Sequence, residues 1–205
     1  MIDHLFITPV YYHMVVDEKL QLVSEEIDNA MPEIRKADLT SPWKDSVKTT
    51  FKYTKPTDDI NLHNLHNLSN VMFELINLYL QALDLNQACK INLLDSWFNF
   101  NGRGAYQSAH HHLPSSTLSA VYYHQTNEQD GNIRFNSPCA AQSMFPLWQH
   151  VNVFHVKDSA EYAPKVGKLL IFPSYLLHSV HENQTDHERI SISCNFVVTP
   201  HNENI

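Results

Sequence analysis

Only four of the 205 residues are glycine and only three are cysteine. Cys89, Cys139 and Cys194 stand far apart with no CxxC pair, which excludes a disulfide framework and a cysteine zinc site and predicts a reduced, cytoplasmic chain. Basic residues are also few, 14 Lys and Arg against 22 Asp and Glu, for a formal net charge of −8. Without a basic stripe, general binding to a nucleic-acid backbone is not expected, and a small ligand or a neutral or cationic partner fits better. No stretch approaches the roughly 18 apolar residues of a membrane span, and the start lacks a charged region ahead of a long apolar run. Neither a membrane contact nor a targeting segment is expected.

What the chain does have is apolar mass and histidine. With 43% hydrophobic residues and 18% charged ones it holds enough for one sizeable core, which excludes a disordered chain, a coiled coil and a small disulfide scaffold. Ten Phe, nine Tyr and three Trp against so little glycine point to a packed, strand-rich protein. No repeat and no long linker divides it, so residues 1–205 are expected to form a single domain.

The first ninety residues read mostly helical. From Asp17, an expected N-cap, Leu20, Val23, Ile27 and Met31 recur at helical steps up to Pro32. Leu65, Leu68, Met72, Leu75, Ile76, Tyr79 and Leu83 form the stripe of a second amphipathic helix. Lys36 to Asp59, polar and carrying Pro42 and Pro56, reads as a loop. From about residue 91 to 200 the period changes to two. Strands are expected at Ile91 to Phe100, Thr117 to His124, Asn132 to Phe135, Val151 to Val156, Lys168 to Phe172, Leu176 to Val180 and Arg189 to Val198, with all four glycines at the turns between them. The reading is a mainly β protein, a sandwich or barrel with the N-terminal helices packed on one face. In the last strand Ile190, Ile192, Cys194, Phe196 and Val198 share the face that meets the helices. Arg189, Ser191, Ser193 and Asn195 then point into the barrel, and a buried guanidinium implies a ligand pocket.

Fourteen histidines are many for this length. His4, His13, His63, His66, His150, His155 and His201 stand alone or on polar faces and read as structural or solvated. His110 and His112 are different. In an extended segment they project to one face and can present two imidazoles to one metal, with His111 turned away. A glycine turn, a buried strand and then His178 follow in Gly167-Lys-Leu-Leu-Ile-Phe-Pro-Ser-Tyr-Leu-Leu-His178, supplying a third ligand. Beyond it Arg189-Ile-Ser191 places a guanidinium and a hydroxyl on one strand face, which suits a carboxylate.

These residues resemble the iron(II)/2-oxoglutarate-dependent oxygenase superfamily, whose pattern is His-x-Asp/Glu, a distal His, then Arg-x-Ser. Ser96-Trp-Phe-Asn-Phe-Asn101, Gly104-Ala-Tyr-Gln-Ser-Ala-His-His-His112, Leu118-Ser-Ala-Val-Tyr-Tyr123, Phe172-Pro-Ser-Tyr-Leu-Leu-His178 and Arg189-Ile-Ser-Ile-Ser-Cys-Asn195 are similar to a narrower family of 2-oxoglutarate oxygenases of bacteria and tailed phages. Leu5-Phe-Ile-Thr-Pro9 matches that family's opening. The resemblance implies a double-stranded β-helix (jelly-roll) core. It implies Fe(II) on His110, His112 and His178, and the distal carboxylate of 2-oxoglutarate on Arg189 with Ser191. Tyr123 and Asn99 are implied as further cosubstrate contacts. The activity implied is a dioxygenase that takes O2 and 2-oxoglutarate, releases succinate and CO2, and oxidises a C–H bond of a peptide side chain, a nucleobase or a small metabolite, in a host's cytoplasm if the chain is phage-encoded. One position departs from the superfamily: His112 stands where the second ligand is usually a carboxylate, and no Asp or Glu lies between Ala105 and Glu128 to replace it.

Three other readings share some of these features. Gly104 with His110-x-His112, and Gly167 with Pro173 and His178, partly match the cupin signature, that of a three-His dioxygenase or isomerase, but Ser116 and Thr117 occupy the place of its glutamate. A three-His zinc hydratase or hydrolase is chemically sound yet leaves Arg189 and Ser191 without a role. A catalytically silent β-helix used for binding is the remaining alternative. The polar excursion from Lys36 to Asp59, and residues Asn136 to Gln149 with Met144, Phe145, Leu147 and Trp148, are candidates to border the pocket; for the second, the favoured alternative is a loop packing its own aromatics.

Overall fold

A computed structural model describes residues 7–43, 45, 47–53, 64–85, 89–139 and 157–200. The strand expected at 151–156, most of the segment 136–149, and His4, His63, His150, His155 and His201 lie outside the described residues. The order is β1 (Tyr11–Met14), α1 (Asp17–Ile34), β2 (Lys48–Thr49), a 3-10 turn (Phe51–Tyr53), α2 (His66–Ala82), β3 (Cys89–Asn101), β4 (Gln107–His110), β5 (Leu118–Gln125), β6 (Ile133–Asn136), β7 (Ser159–Tyr162), β8 (Lys168–Pro173), β9 (His178–Val180) and β10 (Arg189–Pro200).

Two antiparallel sheets face each other. The larger has the strand order β1-β8-β5-β10-β3-β2 and the smaller β4-β9-β6-β7. With α1 and α2 covering the outer face of the larger sheet, this is the jelly-roll arrangement expected. Strand alternation divides the large sheet cleanly. Phe98, Phe100, Ala120, Tyr122, Leu169, Ile171, Ile190, Ile192, Cys194 and Phe196 join the helix residues Val23, Ile27, Leu68, Met72 and Ile76 in one core. Their neighbours Val121, Tyr123, Leu170 and Phe172 turn the other way and pack with Ile133, Phe135, Leu176 and Val180 between the sheets. The functional face is the one between the sheets.

Several local expectations need correction. Asp17 begins α1 rather than capping it, since Val16 holds the N-cap position with no side-chain cap, and the helix runs past Pro32 to Ile34. A proline this close to a helix end removes only one hydrogen bond, so the last turn persists. At α2, Leu83 falls beyond the helix and is exposed, while Val71 and Leu80 widen the buried stripe. The N-terminus of α2 is capped from α1, because the Glu26 carboxylate accepts the Asn67 and Leu68 N–H groups at 2.9 and 3.1 Å. The first ninety residues also contribute β1 and β2 to the large sheet. β1 is held by Gly167 at φ +80, whose carbonyl accepts from Val15 N–H at 2.8 Å and where a Cβ would come within 2.5 Å of the Val15 oxygen. The Lys36 to Asp59 excursion is not wholly a loop, for β2 pairs with β3 opposite Asn99 and Phe100. β9 is shorter than expected and starts only at His178.

β3 contains a bulge that its simple alternation conceals. Asn195 pairs with Asp95 and Phe196 with Leu93, leaving Leu94 as the extra residue. Ile91 and Leu93 therefore pack beside the helix-side core together with even-numbered Phe98 and Phe100, while Asp95, Trp97, Asn99 and Asn101 lie on the face between the sheets. Among the described residues no helix is long and apolar enough to cross a membrane.

Candidate metal centre and anion pocket

His110 ends β4 directly opposite His178, which opens β9. His112 follows on the extended segment after β4, anchored by its own N–H on the Ser174 carbonyl at 2.9 Å. The potential ligand atoms of His110, His112 and His178 all lie within 4.8 Å of one another. Ring centroids are separated by 4.3 Å for His110 and His178, 5.1 Å for His112 and His178, and 5.3 Å for His110 and His112. Metal–nitrogen bonds are about 2 Å long, so small side-chain rotations suffice for one ion to bind all three rings. His111 is exposed and turned away, its Nδ1 accepting from Leu113 N–H at 3.3 Å. His13 and His66 are exposed, as expected of solvated histidines.

Each of the three rings is held by the same end. His110 Nδ1 lies 2.7 Å from the Ser108 carbonyl, His178 Nδ1 lies 2.9 Å from the Leu176 carbonyl, and His112 Nδ1 lies 2.5 Å from Asn195 Oδ1. A carbonyl oxygen only accepts, so all three Nδ1 atoms carry the proton and all three Nε2 lone pairs are free for a metal. Burial, opposed by the Asn195 hydrogen bond, lowers His112 to about 4. Burial, reinforced by the charge of His110, lowers His178 to about 3. Both rings are therefore neutral near neutrality, the form in which imidazole binds metal. Among the described residues no carboxylate joins this set of ligands.

One cavity, lined by His110, His112, His178 and Arg189, joins these rings to the guanidinium. Arg189 is 2% exposed at the start of β10 and has no carboxylate partner among the described residues. Its NH1 donates to the carbonyls of Gly131 at 2.7 Å and Asp130 at 3.3 Å, and its Nε has no hydrogen-bond partner. The Asp130 carboxylate acts on the guanidinium only beyond ion-pair distance, so a buried charge with an unused Nε–H is left able to take an anion. Ser191 and Tyr123 line the same cavity. Burial raises the Tyr123 phenol to about 12 against the pull of Arg189, so it stays a neutral hydroxyl. Asn99 lies on the inner face but does not line the cavity, since its amide donates to Ser193 Oγ at 3.0 Å and only Ser193 reaches the lining.

Sequence reading missed the supports of this site. Asp130, fully buried, accepts from Thr185 Oγ1 at 2.6 Å, His187 Nδ1 at 2.7 Å and Asn127 N–H at 2.9 Å. Burial pushes its carboxyl up, but the hydrogen bonds from Thr185, Asn127 and His187 outweigh that and hold it low. Gly131, at φ +92 with the His181 oxygen 2.2 Å from where a Cβ would stand, completes the turn whose carbonyls hold Arg189. Trp97, its ring centroid 5.9 Å from that of His112, lines the metal end of the cavity, and Phe51 packs edge-on against it at 5.1 Å. Asp45 accepts from Ser108 at 2.9 and 3.1 Å, so the Lys36 to Asp59 excursion does border the site. Such contacts cross many residues of sequence and carry no local motif.

Three imidazoles placed to share one ion, beside a buried guanidinium between the sheets of a jelly roll, are the groups that a metal-dependent enzyme with an anionic cosubstrate would need. Residues 95–195 match the family described as "Putative 2OG-Fe(II) oxygenase". That match, over just under half of the chain, places residues 95–195 with the 2-oxoglutarate- and iron(II)-dependent oxygenases. Among solved structures, a prolyl-4-hydroxylase from Pseudomonas putida aligns at 16% identity with a TM-score of 0.59, over 94% of this chain and 94% of that one. The viral collagen prolyl hydroxylase of Paramecium Bursaria Chlorella virus-1, in its 2-oxoglutarate complex, aligns at 15% identity and a TM-score of 0.55, over 91% of this chain and 95% of that one. HygX from Streptomyces hygroscopicus, with nickel and 2-oxoglutarate bound, aligns at 13% identity and a TM-score of 0.55, over 93% of this chain and 83% of that one. At these identities the likeness is one of fold. No curated protein matches the chain.

Proposed function

We propose that His110, His112 and His178 hold the iron of this oxygenase through their Nε2 atoms, and that Arg189 with Ser191 binds the distal carboxylate of 2-oxoglutarate. One observation carries the reading: three imidazoles with every Nδ1 engaged by an oxygen share a cavity with a buried guanidinium that has no ion-pair partner among the described residues and an unused Nε–H. Iron(II) bound there supplies oxygen activation and the oxidative decarboxylation of 2-oxoglutarate to succinate and CO2, coupled to oxidation of a substrate C–H bond. The chain's own part is geometric and electrostatic. Arg189, with its NH1 committed to the Asp130 and Gly131 carbonyls, presents the rest of its charge to the cosubstrate and fixes its far end. Tyr123, as a neutral hydroxyl, adds a donor beside it. Val121, Ile133, Phe172 and Val180 give the cavity an apolar lining that would exclude water around a bound cosubstrate. Gln107, His110 and His112 are half-buried members of the lining, which makes their side the approach for a peptide side chain, nucleobase or metabolite. Three free cysteines, one of them buried, suit a reducing cytoplasm.

The test is Arg189→Ala. Cosubstrate binding to the Fe(II) protein is expected to fall by about 2–5 kcal/mol, a loss of at least thirtyfold in affinity, while metal binding is retained. Unchanged 2-oxoglutarate affinity by titration calorimetry would overturn the assignment and return the cavity to a cupin-like use.

A further inference from the structure

Asp130 meets Arg189 with its backbone and not with its charge. The Asp130 carbonyl accepts from the guanidinium at 3.3 Å, beside that of Gly131 at 2.7 Å, while the carboxylate of the same fully buried residue makes no ion pair with Arg189. A buried carboxylate so near a buried cation ordinarily pairs with it, since each then offsets the other's loss of water. Here four other donors hold it. Thr185 Oγ1 donates to Oδ1 at 2.6 Å, and Oδ2 accepts from His187 Nδ1 at 2.7 Å, Asn127 N–H at 2.9 Å and Thr126 Oγ1 at 3.2 Å.

These donors are themselves fixed. Thr185 and His187 belong to the connection between β9 and β10, which fully buried Asn183 anchors. Its amide donates to the carbonyls of Asn101 and His187 at 2.8 and 2.7 Å and accepts the Thr185 N–H at 2.9 Å. On the other side, Arg189 keeps an Nε–H with no partner. A negative charge thus stands beside the cation, and a rigid connection turns it away.

We propose that Asp130 is a withheld counter-ion: Thr185 and His187 keep its carboxylate off Arg189, so that the guanidinium stays open to the carboxylate of 2-oxoglutarate. This rests on the reading of Arg189 as the cosubstrate's anchor. It makes Thr185 and His187 positioning residues that act through Asp130, because the competitor the pocket must exclude is a carboxylate of its own.

Titration of 2-oxoglutarate into the oxygen-free Fe(II) protein tests this, together with nitrogen-15 NMR of the arginine Nε–H groups in the metal-free protein. Thr185→Val with His187→Leu removes one donor from each carboxylate oxygen. The freed carboxylate is expected to take the Arg189 Nε–H, shifting its resonance and weakening 2-oxoglutarate affinity by roughly tenfold or more. Adding Asp130→Asn to that pair should recover most of the affinity and return the resonance, because an amide carries no charge to neutralise the guanidinium. Simple damage to the turn would give the loss without the recovery, since the third substitution restores no hydrogen bond. If the paired substitutions unfold the chain, Asp130→Asn alone serves: it is expected to lower the thermal midpoint yet bind 2-oxoglutarate at least as tightly as the parent. Parent-like affinity in the double variant, a loss that Asp130→Asn does not recover, or weaker binding by Asp130→Asn alone would overturn the withheld counter-ion. Parent-like affinity in Arg189→Ala would instead overturn the cosubstrate anchor itself, so the two failures are distinguishable.

Discussion

At the scale of single residues, His112 and His178, like His124, are ionisable groups kept neutral by burial. Both are lowered from 6.5, His112 to about 4 and His178 to about 3. An unfolded chain takes up protons on these rings as the pH drops below 6.5, whereas the folded chain refuses them until much lower pH. The unfolded state then binds more protons, so stability falls as the pH falls. The metal-free protein is expected to show a thermal midpoint that is flat on the alkaline side of 6.5 and declines between about 6.5 and 3. His178→Gln, which removes one such ring, should flatten that decline. A parent and variant with parallel pH profiles would show that these rings are not held neutral by the fold. Excess metal should steepen the loss on the acid side, because protons and the ion compete for the same lone pairs.

At the scale of elements, the turn before β6 holds Arg189 in place. Asp130 and Gly131 offer two carbonyls to Arg189, and the Asp130 carboxylate ties the turn to Thr185 and His187. Gly131→Ala would put a methyl against the His181 oxygen in a backbone region that side chains rarely adopt. Its expected cost is about 1–3 kcal/mol, with a lower thermal midpoint and weaker 2-oxoglutarate binding but unaltered Co(II) affinity. Cosubstrate affinity equal to the parent's would show that Arg189 does not depend on the turn. The same elements show what the sequence made legible. α2, β5, β8 and β10 carry long, unbroken periodicities, and His110, His112, His178, Arg189 and Ser191 occupy a motif with few other uses. β1, β2, β4 and β7 have two to four residues each, too few for a period to emerge, and tertiary pairing alone forms them. Asn195 and Asp130 were out of reach for a different reason: each acts through partners that only the fold brings near.

At the scale of the whole molecule, the large sheet separates two tasks. Its outer face is the hydrophobic contact with α1 and α2, and its inner face is the site. Ile192, fully buried among the helices, should cost about 2–5 kcal/mol when cut to Ala, whereas Ser191→Ala, one residue away, should weaken cosubstrate binding with little change in thermal midpoint. Equal thermal effects of the two would contradict the separation. A saturation library scored in parallel for cellular abundance and for succinate production would therefore show a two-residue beat along β10, even positions governing abundance and odd positions governing turnover. Along β3 the beat would skip once, at Leu94, with Ile91 and Leu93 scoring for abundance on one side and Phe98 and Phe100 on the other. That skip would be a genetic fingerprint of the bulge, visible without any coordinates.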